Sequence, residues 1–255
     1  MAQGIRRYER ILDLFDAHEP EWTVQGMSDA LNTSSSTLYR LIRELVDVGM
    51  LESTVESRYR LGPLFIEYYR RIRLNDPLVR SGGIFLKPLM QQIPVPAVVV
   101  LARLYNGQVM CVADERSPGA QFQTSYELGR PMPILRGATS KAVLSTMPPK
   151  VAQRFLEKKI TATSAEIAVL GMELATIRRT GFSETSGEVD QGLVGIAAPV
   201  RNTRLGINAS VSVVIERSSL DKEIRLMILS ALAGAAKMIE NFMRDTTENE
   251  AAEAN

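Results

Sequence analysis

The spacing of apolar residues switches at Gly49, and that switch limits what the N-terminal third of the chain can become. Before it, Leu38, Leu41, Ile42, Leu45 and Val48 recur three and four residues apart, the stripe of an amphipathic helix over residues 35–48. After it, Met50-Leu51-Glu52-Ser53-Thr54 and Arg58-Tyr59-Arg60-Leu61 alternate around a polar turn at 55–57, which predicts two strands. Gly49 suits the left-handed position that stops a helix. Two helices are predicted upstream. Ile5, Tyr8, Ile11, Leu12, Leu14 and Phe15 mark one over 5–17, and Thr23 caps another that carries Val24, Met27, Ala30 and Leu31 on one side. Asn32-Thr33-Ser34 separates this helix from the next, and asparagine tolerates the left-handed conformation such a break needs. Helix, tight break, helix and hairpin is the element order of a winged helix-turn-helix.

Gly62-Pro63 punctuates, and residues 64–74 read as a helix through Leu64, Ile66, Tyr68, Tyr69 and Ile72, with Arg70, Arg71 and Arg73 at its end. Asn75-Asp76-Pro77 closes it and marks a domain boundary. The expected organisation is a winged helix over 1–62, a linker helix over 63–75, a second domain over 76–246 and a disordered tail over 247–255. In the second domain, Gly82-Gly83 weakens a helix expected at 76–92. Strands at 95–105 and 108–114 flank Asn106-Gly107, a strong hairpin signal, and another strand is expected at 122–126. Residues 128–137, rich in glycine and proline, lead into helices at 138–146, 148–158 and 164–180. Strands at 182–186, 193–201 and 205–216 follow, then a long helix over 221–244. This order argues for an α+β fold with an antiparallel sheet.

Lys and Arg total 30 against 29 Asp and Glu, a formal net charge of +1, so a generally basic mode of nucleic-acid binding is excluded and any such contact must be local. One cysteine (Cys111) and one histidine (His18) exclude a disulfide framework and a Cys/His zinc cluster, and neither metal nor cofactor is expected. No apolar run nears the ~18 residues of a membrane span and no signal peptide is evident, so the expectation is a cytoplasmic protein without membrane contact. Within 1–73, ten arginines meet eleven acidic residues; many of the acids fall on the first two helices, while the arginines gather at the third helix, the hairpin and the linker. The start of the third helix, Ser34-Ser35-Ser36-Thr37, offers hydroxyls and free N–H groups to phosphate oxygens. Its polar face, Ser36, Tyr39, Arg40 and Arg43, supplies donors for guanine edges or phosphates, and Arg58 and Arg60 in the hairpin suit the nucleic-acid backbone. A plain folding unit would show the same elements, with the Ser/Thr run serving only as a cap. An enzyme is not expected: a Ser-x-x-Lys pair ending at Lys141 would need serine where Ala138 stands, and His18 lies in the other domain.

Leu38-Tyr39-Arg40-Leu41-Ile42 followed by Arg58-Tyr59-Arg60-Leu61-Gly62-Pro63 resembles the winged-helix domain of the IclR family of bacterial transcription regulators. Gly137-Ala138-Thr139-Ser140-Lys141-Ala142-Val143-Leu144 resembles the family's segment before its middle helices. Gly181-Phe182, Glu188, the run from Gly192-Leu193-Val194-Gly195 through Pro199-Val200, and Ala209-Ser210-Val211-Ser212-Val213 are similar to its far end. The match spans almost the whole chain in the family's order, with Asn32 where glycine is frequent and Thr139-Ser140 where a small residue and glycine are usual. The resemblance implies a regulator that binds double-stranded operator DNA as a homodimer or dimer of dimers. It also implies a GAF-like C-terminal domain that senses a small organic acid, including aromatic acids, and controls a catabolic operon. It places effector-binding positions near Thr185, Glu188, Leu193 and Gly195, with Ser210 and Ser212 on a neighbouring strand. The residues add their own reason for an anion: Arg136-Gly137-Ala138 directly precedes a helix, so N–H groups, the helix dipole and a guanidinium converge there. Ile134, Leu135 and Leu193 would supply apolar walls. The alternative readings are a protein-interaction adaptor, or a DNA-binding protein without a small ligand.

Overall fold

The computed structural model describes residues 2–159 and 163–253. The chain divides into two compact units, 1–75 and 76–255.

In the first unit, α1 (Ala2–Leu12), α2 (Val24–Leu31) and α3 (Ser35–Asp47) pack around Ile11, Phe15, Met27, Leu38, Leu41, Ile42 and Leu45, which the helical spacing predicts, and around Leu51, whereas Ile5 and Val48 of the expected stripes are exposed. Thr23 caps α2 through a bond from the Gly26 N–H, and Asn32 takes the left-handed conformation (φ 47°, ψ 50°) that turns the chain into α3. The first helix stops at Leu12 rather than near 17, because the Asp16 carboxylate accepts from the His18 and Glu19 N–H groups and turns the backbone there. Strands β2 (Leu51–Ser53) and β3 (Arg58–Leu61) form the wing, with Glu52 opposite Arg60. A short strand that the sequence reading omits, β1 (Trp22–Thr23), pairs with β3 and makes the sheet three-stranded in the order β1-β3-β2. Helix α4 (Leu64–Asn75) buries none of its residues and ends at the boundary of the first unit.

The second unit is built on a six-stranded antiparallel sheet in the order β6-β5-β4-β9-β8-β7. Its strands are β4 (Ala97–Tyr105), β5 (Gln108–Arg116), β6 (Pro131–Met132), β7 (Ser183–Ser186), β8 (Leu193–Asn202) and β9 (Ile207–Glu216). Both faces are covered, so β4 and β9 read as nearly continuous apolar runs. Ala97, Val99, Leu101, Val211, Val213 and Ile215 face a core beneath α5 (Pro77–Gln91) and α9 (Lys222–Glu253). Val98, Val100 and Ala102 face the opposite side, as the strand period of two requires. Gly82 explains the glycine pair in α5: a Cβ there would sit 2.7 Å from the Ala113 Cβ, so the residue lets the helix press onto β5.

On the opposite side lies α6 (Ala138–Ser145), every residue of which is buried, backed by α7 (Pro149–Lys159) and α8 (Ser164–Thr180). Helix α9 is long and apolar enough to cross a membrane, yet Ile228, Leu232, Ala235, Ile239 and Met243 lie in the core of the unit. Two expectations are corrected. Residues 122–126 form no strand, because the Asp190 carboxylate accepts from the Thr124 hydroxyl, the Ser125 N–H and the Ser125 hydroxyl at 2.8, 2.9 and 2.6 Å and holds the segment as a loop. The tail expected to be disordered from 247 continues α9 through Glu253, in keeping with its alanines and glutamates; residues 254–255 lie outside the described residues.

Candidate functional site

Two surfaces carry the chemistry. The first is the outer face of α3, where Ser36, Tyr39, Arg40 and Arg43 are exposed and follow the helical repeat, with Tyr39 58% accessible. No side chain caps α3, which leaves its first-turn N–H groups to an outside acceptor. The Ser34 hydroxyl lies 3.3 Å from that of Ser36 and 2.9 Å from that of Thr37. Ser35 instead turns toward α2 and bonds the Ser28 hydroxyl, which removes it from the outward face. A cleft of about 550 Å³ separates helix from wing and is lined by Tyr39, Arg40, Arg43, Val46, Ser53 and Tyr59. Tyr59 and Ser53 were missed by the sequence reading, although strand alternation marks both positions.

The arginines are not equivalent. Arg40 pairs with Glu44 at 3.0 Å, and Glu44 also accepts from the Tyr8 hydroxyl. That Tyr8 bond, with help from Arg40, holds the Glu44 carboxyl below its ordinary pKa. Arg60 pairs with Glu52 across the wing at 2.5 Å, and Arg58 donates to the Glu21 carbonyl at 3.5 Å. Among the described residues Arg43 has no hydrogen bond or ion pair, which makes it the most available of these four arginines to a ligand.

The second surface is the α6 N-terminus. A helix buried on all sides cannot leave its first N–H groups to water, so they must find acceptors within the protein. The Gly137 N–H donates to Glu188 Oε2 and the Ala138 N–H to Thr185 Oγ1, each at 2.9 Å. Gly195 opposes Thr185 on β8, and a Cβ there would stand 3.5 Å from that of Ala138, an ordinary van der Waals contact between α6 and the sheet. Gly137 (φ 84°) has Tyr126 and Val189 pressed against it.

Lys141 and Glu173 complete the arrangement and were missed by sequence reasoning; the helical spacing from Gly137 to Lys141 was the available signal. The Lys141 ammonium bonds both Glu188 and Glu173 at 2.9 Å, and its side chain is only 9% exposed. Burial disfavours that charge, but the two carboxylates outweigh it and raise the lysine pKa. Burial likewise opposes ionisation of Glu188, and the Gly137 N–H and the Lys141 ammonium overcome it, so the carboxyl titrates below its ordinary range.

The predicted effector residues do not surround one space. Leu135, Arg136 and Glu188 line an open cavity of about 690 Å³ with Lys141, Glu173 and the α8 residues Ile167, Val169 and Leu170. Ile134 and Leu193 pack instead in a core with Tyr126 and Val189. Ser210 donates to the Thr139 carbonyl and Ser212 bonds the Thr139 hydroxyl, both 3.0 Å and fully buried, so the two serines fasten α6 to the sheet and reach no cavity surface. Burial pushes the Tyr126 phenol up to about 12.

With this geometry in place, the family model described as the bacterial transcriptional regulator IclR C-terminal domain matches residues 75–241, and that described as the IclR helix-turn-helix domain matches residues 5–54. The chain belongs to the IclR family. Members of this family are transcription regulators, not enzymes. The chain is 25% identical over 221 residues to the HTH-type transcriptional regulator Rv1719 of Mycobacterium tuberculosis, covering 84% of this chain and 83% of that protein. It is 25% identical over 228 residues to XynR of Escherichia coli, covering 87% and 89%. Among solved structures, an IclR transcriptional regulator from Alicyclobacillus acidocaldarius shares the fold with a TM-score of 0.78 at 22% identity, over 94% of this chain and 98% of that one. An IclR homolog from Microbacterium hydrocarbonoxydans, crystallised with 4-hydroxybenzoate, shares it with a TM-score of 0.76 at 22% identity, over 94% and 99%.

Proposed function

We propose that this IclR-type regulator grips an operator through paired winged helices and that a small organic acid bound at the α6 N-terminus changes that grip. In a two-fold pair, the α3 helices enter successive major grooves about 34–36 Å apart, so the operator is near-palindromic. Arg43 and Tyr39 read base edges, Ser34, Ser36 and Thr37 meet phosphates, and Arg58 and Arg60 hold the backbone beside the wing. The assembly is a homodimer or a dimer of dimers acting in the cytoplasm. Helix α4 carries the response between the units in the chain.

The effector reading is carried by one observation. A buried helix N-terminus opens beside a cavity of about 690 Å³ in which Arg136, free of hydrogen bonds among the described residues, adjoins apolar Leu135, Ile167, Val169 and Leu170. A carboxylate paired to Arg136 with its carbon body on the apolar wall fits that chemistry. Aromatic acids head the class, because a relative of the same fold binds 4-hydroxybenzoate, and a catabolic operon is the corresponding target. The test is a gel-shift assay on the DNA flanking the gene, with a panel of organic acids that includes 4-hydroxybenzoate, run on the parent and Arg136→Ala. At least one acid should change the parent's operator affinity and lose that effect in the variant. An affinity untouched by every acid would favour a regulator without a small ligand.

A further inference from the structure

The α6 N-terminus already holds a carboxylate, that of Glu188. We infer that Glu188 is the site's internal occupant, seated where an effector's carboxylate binds, and that the effector enters by exchanging with it; this rests on the effector reading above. One Glu188 oxygen accepts from the Gly137 N–H and the other from the Lys141 ammonium, the charge-assisted bonds a ligand carboxylate would make. The seat is arranged for release. Lys141 also holds Glu173, so its buried ammonium keeps a partner when Glu188 departs. The Glu188 side chain is 34% exposed and sits on a turn between Gly187 (φ 68°) and Gly192 (φ 81°), both with open space around them, so it reaches water without disturbing β7 or β8. The cavity beside the seat supplies Arg136 as a second cation and an apolar wall for the rest of the ligand.

Exchange replaces one set of carboxylate bonds by an equal set and returns Glu188 to solvent, so the contest is set by concentration. A carboxylate tethered on a short turn competes at an effective concentration of millimolar order or above, which selects against weakly held acids. The same turn carries Asp190, whose carboxylate holds Thr124 and Ser125, so the turn that bears Glu188 is tied to the 122–126 loop.

Formate, the smallest carboxylate, tests the exchange without knowledge of the effector. The full-length parent, Glu188→Ala and Glu188→Gln are titrated with sodium formate against sodium chloride at matched ionic strength. The amide resonances of Gly137 and Ala138 and the thermal midpoint of the second unit are followed. Half-saturation should come at the lowest formate concentration in Glu188→Ala, at an intermediate one in Glu188→Gln and at the highest in the parent, with at least about tenfold between the extremes. Formate should also raise the midpoint of Glu188→Ala relative to chloride. Equal responses in all three proteins, or none in the folded variants, would overturn the inference. Should Glu188→Ala fail to fold, the order of Glu188→Gln against the parent decides the question in the same way. Formate exchange in the variants, with no acid altering operator affinity, would refute the effector reading and leave the seat standing.

Discussion

Replacing Gly137 by alanine should be among the most damaging single-methyl changes available to the second unit. The residue sits at φ 84°, ψ 147°, close to a region that only glycine occupies freely, which costs a side-chain-bearing residue about 1–3 kcal/mol. The added Cβ would lie 2.7 Å from both the Tyr126 hydroxyl oxygen and a Val189 methyl, well inside contact distance. Tyr126 is only 5% exposed and cannot swing away, so overpacking adds roughly 1–3 kcal/mol. The sum, about 2–6 kcal/mol, is a large part of the ~5–15 kcal/mol that keeps a domain folded. For a unit of this size each kcal/mol lowers the thermal midpoint by about 2–4 °C, giving a drop of roughly 4–24 °C. Differential scanning calorimetry of the parent, Gly137→Ala and Gly83→Ala measures it. Gly83 lies in α5, and a methyl group added there would meet nothing within 4 Å, so its substitution should be stabilising by about 0.4–1 kcal/mol. Val189→Ala in the Gly137→Ala background should recover part of the loss through the relieved contact. A Gly137→Ala midpoint within a degree of that of Gly83→Ala would refute both the strain and the contact reasoning.

Arg43→Ala should cost about 1–3 kcal/mol of specific operator binding in fluorescence-anisotropy titrations, and Arg40→Ala less, because Glu44 already neutralises Arg40; equal losses would remove the pairing argument. Arg58→Ala should weaken binding to all sequences and lower the salt slope by about 0.9, read from affinity against salt concentration, whereas an unchanged slope would take Arg58 off the phosphate backbone. Alkali should destabilise the second unit in a defined window. Burial keeps Tyr126 neutral up to about 12 while the unfolded phenol ionises near 10, so its contribution is full below pH 10 and is lost as pH rises toward 12. Urea midpoints of the parent should fall across that window, and those of Tyr126→Phe should fall less; identical profiles would contradict the assignment. Cys111, pushed up to about 12 chiefly by burial, should resist a thiol reagent at pH 8 until the protein is unfolded, and rapid labelling of the native chain would show its strand to be open.

Local rules made much of the molecule legible in the sequence. The helical stripe of Leu38, Leu41, Ile42 and Leu45, the left-handed break at Asn32, the stop at Gly49 and the Asn106-Gly107 hairpin each depend on a few neighbouring residues, and each is present in the structure. The α6 N-terminus was legible too, because Gly137 and Ala138 announce themselves by position before a helix. Partnership across distance was not. Glu188 and Thr185 lie about fifty residues from the N–H groups they accept, and the Lys141 link to Glu173 joins two helices. The direction in which Ser210 and Ser212 point was equally hidden, because the alternation fixes two faces but not which of them meets a cavity.

The sequence by itself determined most element types, the division into two units and the chemistry available at each helix end, because backbone sterics and apolar periodicity act within a few residues. Only the tertiary structure decided which charges are spent. Arg40 and Arg60 are paired while Arg43 is left open, and the Gly137 N–H at the start of α6 is already taken by the Glu188 carboxylate. The Arg40–Glu44 pair follows from helical spacing, but the Arg60–Glu52 pair and the seating of Glu188 depend on which strands and loops the fold brings within a few ångströms.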